Sequence, residues 1–269
     1  MWKHPKRRSN NRMGINKNKM NKIKQALISV SDKNKLEKIL KILKQFKIKI
    51  ISSGGTYKKI IKLGYKCSEV SKFTNSSEIL EGRVKTLHPK VHAGILNKRN
   101  NKSHKKQMKL NKYENIDLVI VNFYPFEKSL TKIKNHKNII ENIDIGGPTL
   151  VRAAAKNFNY VTVVTNIEQY NGLIEELKKN KGSTSFDFRQ KLSEEAFGLT
   201  ACYDSAIANY FVSRTKNIFP KKKLFCGNII EKLRYGENPH QEGAIYSYDK
   251  SLDIDQLHGK KLSYNNYND

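Results

Sequence analysis

The chain has 269 residues, 38% of them hydrophobic, and a formal net charge of +28. That length suits one large domain, or a medium domain with a second attached, and excludes a mini-protein needing staples. Apolar runs such as QALISV, IDLVIVNF and NYVTVVT supply a core and exclude wholesale disorder, while none reaches the ~18–20 uncharged residues of a membrane span.

The amino terminus lacks the apolar stretch of a secretory signal, so the sequence predicts a soluble, cytoplasmic protein with no membrane partner. Cys67, Cys202 and Cys226 form no C-x-x-C or other metal-binding spacing and are expected to be reduced thiols that only pack. The positive charge raises nucleic-acid binding, but its distribution argues against it. Residues 1–24 carry nine Lys and Arg and no acid; the rest of the excess is scattered as single lysines, without a stripe of interleaved aromatics. The expected result is a solvated lysine surface whose field steers anionic substrates, phosphate esters above all.

In chain order, residues 1–24 are rich in Asn and Lys without hydrophobic period and read as a disordered basic tail. Gln25–Val30 is an apolar strand. Leu36, Ile39, Leu40, Leu43 and Phe46 then recur at helical spacing, followed by a strand at Ile48–Ile51 and a short helix at Tyr57–Lys62. Further strands are expected at Cys67–Val70, Leu118–Asn122 and Tyr160–Val164, and helices at Leu150–Asn157 and Ile167–Leu177. Phe188, Leu192, Ala196, Leu199, Tyr203, Ile207 and Tyr210 step by threes and fours, the pattern of one long amphipathic helix. This alternation predicts an α/β fold, a parallel sheet with helices on both faces, whose ligands bind beyond the carboxyl ends of the strands. Residues 25–212 form the expected main domain, 213–226 a linker, and 227–269 the beginning of a second α/β domain, cut short.

Ser29-Val30-Ser31-Asp32-Lys33 closes the first strand, and Ser53-Gly54-Gly55-Thr56 closes the second. Glycines admit an anion to the backbone, hydroxyls donate to it, and the following helix presents its positive end, so the two loops read as a phosphate cradle. Arg83 and Lys85 stand at i, i+2, which in an extended loop puts both cations on one side, to clamp an anion or to crowd each other. His88 and His92 do not make a metal site, because Pro89 breaks the helix that would align them and no third ligand is near. Asn122 and Tyr124 follow a strand and bring an amide and a phenol to the ligand edge. Asp144-Ile145-Gly146-Gly147-Pro148-Thr149 leads into a helix whose positive end is expected to hold the Asp144 carboxylate ionised; Arg152 and Lys156 share a face of that helix. The ensemble describes acid/base chemistry on a phosphorylated polar substrate.

SVSDK, SGGT, GRVKTLHPKVHAGIL, NFYPF, ENIDIGGPTLVRAAAKN and LRYGENPHQ occur in the order and spacing of the bifunctional purine biosynthesis proteins, which residues 25–269 resemble. In that family the first domain is an inosine monophosphate (IMP) cyclohydrolase, and the second a 5-aminoimidazole-4-carboxamide ribonucleotide (AICAR) formyltransferase. The resemblance implies a methylglyoxal-synthase-like sheet that closes the ring of formyl-AICAR with loss of water. Ser29, Ser31, Lys33, Ser53, Gly55 and Thr56 would hold the ribose 5′-phosphate, and Arg83, Lys85 and Thr86 would line the site. Asn122 and Tyr124 would orient the base; Asp144, Gly146, Gly147 and Lys156 would complete the reacting end. Asp144 would take the carboxamide proton, and Lys85, Tyr124 or Lys156 would donate to the formyl oxygen.

The partner implied is a phosphorylated purine-precursor nucleotide, with a homodimer implied by the family and with neither cofactor nor metal for this step. Arg234 and Tyr235 match AICAR-contacting positions of the transferase domain. Its Lys-His pair and following Asn-Pro motif are missing from the sequence, so formyl transfer from the co-substrate 10-formyltetrahydrofolate is expected to be incomplete. The rival readings are a methylglyoxal synthase-type lyase acting on dihydroxyacetone phosphate and a basic nucleic-acid-binding module.

Overall fold

The computed structural model describes residues 20–123, 126, 130, 133, 135–215, 218–248 and 257–268. Two units divide the chain, Met1–Thr200 and Ala201–Asp269. The first contains β1 (Asn21–Lys22), β2 (Gln25–Val30), α1 (Leu36–Gln45), β3 (Lys49–Ser52), α2 (Gly54–Lys62), β4 (Ser68–Glu69) and α3 (Val70–Thr74). It continues through α4 (Pro89–Leu96), α5 (Lys102–Leu110), β5 (Leu118–Asn122), α6 (His136–Glu141), α7 (Gly146–Lys156), β6 (Thr162–Val164), α8 (Gln169–Lys179) and β7 (Ser183–Thr184). The long α9 (Phe186–Ser213) contains the division between the units.

Five strands form a parallel sheet in the order β4-β3-β2-β5-β6. The central strands β2 and β5 are nearly continuous runs of buried residues, as a sheet covered on both faces requires. Helix α1 lays Leu36, Ile39, Leu40, Ile42 and Leu43 on the core while Glu37 and Lys41 face water. Helix α7 packs on β5, β6 and α4. The buried Asn157 just beyond it donates to the carbonyls of Ile95 and Asn97, at 2.7 and 3.0 Å, and so joins the two helix ends. Parallel pairing sends every strand's carboxyl end to one edge, where the loops 29–33, 53–56 and 122–123 meet.

The expected strands at 67–70 and 160–164 shrink to Ser68–Glu69 and Thr162–Val164. Both lie at edges of the sheet, where a strand has a partner on one side only. The helices expected at Tyr57 and Leu150 begin earlier, at Gly54 and Gly146, because the glycines that mark a turn in the sequence here form the first helical turn. Pro89 does not break a helix; it starts α4 from the first position, with His88 as the cap accepting from the Lys90 N–H at 3.1 Å.

Three other expectations are corrected. The tail does not run to residue 24: β1 pairs with β7, Ile23 is buried, and the Ile23 N–H donates to Gly182 O. Residues 1–19 lie outside the described set. The cysteines are not all thiols, since Cys202 and Cys226 form a disulfide and only Cys67 is free. The main unit ends at Thr200 rather than 212, because the disulfide and a hydrogen bond from Asn209 Nδ2 to Leu224 O tie the last turns of α9 to the segment that follows.

In the second unit β8 (Asn228–Lys232) and β9 (Ala244–Ser247) form an antiparallel ribbon, and α10 (Asn265–Asn268) follows. No described helix is long and apolar enough to cross a membrane.

Candidate functional site

The first loop is built from the strand register. Val30 of β2 pairs with Asn122 of β5, so the Asn122 side chain projects just beyond the β2 tip. Its Oδ1 accepts from the N–H of Ser31 at 2.7 Å and of Asp32 at 3.1 Å, and from Ser31 Oγ at 3.0 Å; its Nδ2 donates to Asp32 O at 3.1 Å. Asn122 therefore shapes the loop, where the family resemblance had it orienting a base. Thr56 behaves similarly. Its buried hydroxyl accepts from Val30 N–H at 3.0 Å and donates to Val30 O at 2.9 Å, latching the first turn of α2 to the tip of β2.

The amino end of α2 remains for an anion. Ser53 precedes the helix in extended conformation without capping it by its side chain, and the first-turn N–H groups have no acceptor within the helix. Two ammonium groups flank it. Lys33 Nζ donates to Ser31 O at 3.1 Å and lies 3.9 Å from where a Cβ on Gly55 would stand; Lys85 Nζ lies 3.7 Å from the equivalent point on Gly54. Gly54 has φ +53, so a side chain there would be strained, though it would meet the ammonium only in ordinary van der Waals contact.

Thr86 carries the site from α2 to α7. Its hydroxyl is 3.0 Å from a Cβ position on Gly146, and Asp144 Oδ1 accepts from the Gly147 N–H at 2.9 Å. Burial pushes the Asp144 carboxyl above its ordinary range, opposed by the Gly147 and Gly146 N–H groups. The sequence expected the helix end to hold Asp144 ionised; desolvation is the larger effect, with the carboxylate set close against the bare backbone of Gly147.

Lys85, Thr86, Asp144, Gly146 and Gly147 thus join Lys33, Ser53 and Gly55 at one edge of the sheet. Lys156 does not join them within this chain: it is exposed at the far end of α7, ~15 Å along the axis from Gly146 at the helical rise per residue. Tyr124 lies outside the described residues. Arg83 and Lys85 do not share an extended loop, for residues 79–84 form a tight turn and each cation meets its own carboxylate, Glu141 for Arg83 and Glu78 for Lys85. The sequence reading missed both acids. For Glu78 the available signal was Gly82, whose φ of +91 helps reverse the chain between residues 78 and 85; Glu141, distant in sequence, left none.

Among the described residues no cluster of three or more metal-ligating side chains exists. A cleft of about 760 Å³, lined by Lys44, Lys49, Tyr65 and Lys90 among others, opens at the amino ends of β3 and β4, opposite these groups. Hydroxyls, glycines and the half-buried Asp144 carboxylate converge at the carboxyl edge instead. In the second unit the Arg234 guanidinium stacks on the Tyr235 ring, 4.9 Å from its centroid; Ser263 and Arg234 hold that phenol below its ordinary range.

A parallel sheet with this cradle at its carboxyl edge is the MGS-like domain class, whose family description matches residues 35–149. Residues 154–269 match the family described as the AICARFT/IMPCHase bienzyme. The chain is a homologue of the bifunctional purine biosynthesis proteins. It is 46% identical over 252 residues to the "Bifunctional purine biosynthesis protein PurH" of Bradyrhizobium diazoefficiens, covering 92% of this chain and 48% of that protein. The protein of the same name from Oceanobacillus iheyensis is 45% identical over 252 residues, covering 91% and 49%. The chain spans about half the length of these relatives. A solved structure described as "Crystal structure of ForH" superposes with a TM-score of 0.64 at 29% identity, covering 71% of this chain and 97% of that one.

Proposed function

We propose that this chain is an IMP cyclohydrolase, closing the ring of 5-formamidoimidazole-4-carboxamide ribonucleotide in the cytosol. The observation that carries the reading is the pair of ammonium groups, Lys33 and Lys85, flanking the uncapped amino end of α2 at Gly54 and Gly55. A phosphate dianion fits on the Gly55 and Lys33 side by charge and by hydrogen-bond donors, which leaves Lys85, on the Gly54 side, for the reacting end. One residue beyond Lys85, Thr86 leads to Asp144, which supplies a base next to the anchored nucleotide.

Nucleophile and electrophile belong to one molecule. The carboxamide nitrogen attacks the formyl carbon, the new N–C bond forms, and the C–O bond breaks. The carboxamide and the formamide N–H each surrender one proton to the departing oxygen, which leaves as water. Holding the reactive rotamer is worth ~7–11 kcal/mol in well-oriented cases. Asp144 takes the carboxamide proton; its burial strengthens it as a base at neutral pH. Lys85 donates to the oxygen as it becomes an alkoxide, and such a donor is typically worth ~10²–10³ in rate.

Tyr124 is a second donor on the strength of family resemblance, and Lys156, remote from Asp144, is left out of the step. The reading is confined to cyclisation and assigns no formyl transfer from 10-formyltetrahydrofolate. The test is IMP formation from the synthetic formyl nucleotide by the purified chain, followed against the spontaneous rate, with dihydroxyacetone phosphate offered in parallel. Binding without acceleration, or turnover of the triose phosphate in its place, overturns the assignment.

A further inference from the structure

Glu78 and Lys85 stand on the two arms of the turn over residues 79–84. Leu80 and Glu81 are both left-handed at φ 54, a conformation disfavoured for L side chains, and Gly82 follows at φ +91. The turn brings Glu78 Oε1 to 2.6 Å from Lys85 Nζ. A Cβ on Gly82 would stand 2.3 Å from that oxygen and 2.5 Å from Lys85 Cε, so the ion pair lies against the bare backbone of the glycine. Partly exposed pairs of this kind contribute little to stability. A turn of unfavourable backbone that sets such a pair beside the anion cradle points to a use for the geometry it imposes.

That geometry fixes Lys85, whose four-carbon stem would otherwise sweep the ammonium through many rotamers. With Glu78 as anchor, the ammonium stays beside Gly54 at the entrance to α2. We propose that Glu78 is a positioning residue for cyclisation: through its ion pair over Gly82 it holds the Lys85 ammonium where the reacting nucleotide needs a donor. This rests on the cyclohydrolase reading and adds to it a residue that does not itself touch the reacting atoms.

The test is a double-mutant cycle on the 269-residue chain, with kcat and KM for cyclisation measured in the steady state and folding checked by circular dichroism. Glu78→Gln keeps the shape and removes the charge; it is expected to lower kcat ~10–100-fold, as a misplaced donor does, while KM changes less than about threefold. Glu78→Asp keeps the charge and is expected to recover part of kcat. In a Lys85→Gln background, Glu78→Gln is expected to add no further loss. Wild-type kcat in Glu78→Gln, while Lys85→Gln is slow, overturns the positioning role and leaves the function standing. An equal loss in the Lys85→Gln background also overturns it, because Glu78 would then act by another route. Full speed in Lys85→Gln removes the catalytic reading itself.

Discussion

The Asn122 side-chain oxygen sits 2.7 Å from the Ser31 backbone nitrogen, and this one amide fixes the loop after β2 through four hydrogen bonds. A residue at the end of β5 thereby holds the cradle half formed by its neighbouring strand. Replacing it with alanine leaves the Ser31 and Asp32 N–H groups to water and frees Lys33 to move. Asn122→Ala is expected to raise the substrate KM at least about tenfold through lost preorganisation, and to lower global stability by only about 1 kcal/mol, since the loop is solvated. Steady-state kinetics and a denaturant melt measure the two effects; an unchanged KM would deny Asn122 its organising role.

Two helical glycines, Gly147 in the first turn of α7 and Gly198 in the interior of α9, should respond differently to alanine. A Cβ on Gly147 would stand 2.3 Å from Asp144 Oδ2 and 3.1 Å from the Phe123 ring, whereas one on Gly198 in α9 meets nothing within 4 Å. Gly147→Ala is expected to displace the carboxylate and reduce cyclisation about 100-fold. Gly198→Ala is expected to leave the rate intact and raise stability by roughly 0.5–1 kcal/mol, through helix propensity alone. Thermal melts alongside turnover separate the two; normal turnover in Gly147→Ala would remove Asp144 from the reaction.

Legibility in the sequence followed how local the determining physics is. β2 and β5 are buried on both faces and announce themselves as the apolar runs QALISV and LVIVN. Helix α5, with the polar sequence KSHKKQMKL and no buried residue, gives no such periodicity and escaped notice. Glycine-rich loops revealed the candidate site, because backbone approach to an anion leaves a mark on composition. Partners distant along the chain leave none: Asn122 meets Ser31 across 91 residues, and Cys202 finds Cys226 across 24. Ile23 looked like one more residue of a basic tail until its neighbours from β7 were in place.

The pH behaviour of Asp144 has a definite sign. Its folded-state pKa is raised, so the folded chain binds this proton more tightly than the unfolded chain, and stability falls as pH climbs from the ordinary value of about 3.9 through the raised one. Asp144→Asn keeps an acceptor for the Gly147 N–H and removes the buried charge. It is expected to melt at the same or a higher temperature above that window, while turnover drops ~10²–10⁴-fold, the usual worth of a general base. The acid limb of kcat/KM in the wild-type chain should lie above pH 3.9 and disappear from the residual activity of the variant. A melting temperature that rises as pH climbs across this range would show that the carboxylate stabilises the fold, contrary to its burial.

The Cys202–Cys226 disulfide offers a perturbation of the second unit alone. It closes 24 residues of separation over a segment that, among the described residues from 214 to 227, carries neither helix nor strand. In the chain-entropy account such a crosslink is worth about 3 kcal/mol, by restricting the unlinked alternatives of the loop. Cys202→Ser, or reduction with dithiothreitol, is therefore expected to speed tryptic cleavage at Lys221–Lys223, which are solvent-exposed but held within the crosslinked loop. Cyclisation should stay within about twofold, because no candidate site residue lies on that loop. Limited proteolysis with and without reductant, scored against the cyclisation rate of the same samples, measures both. Equal cleavage in the two states would show that the disulfide does not restrain the segment, and a parallel loss of cyclisation would show that the α2–α7 site depends on it.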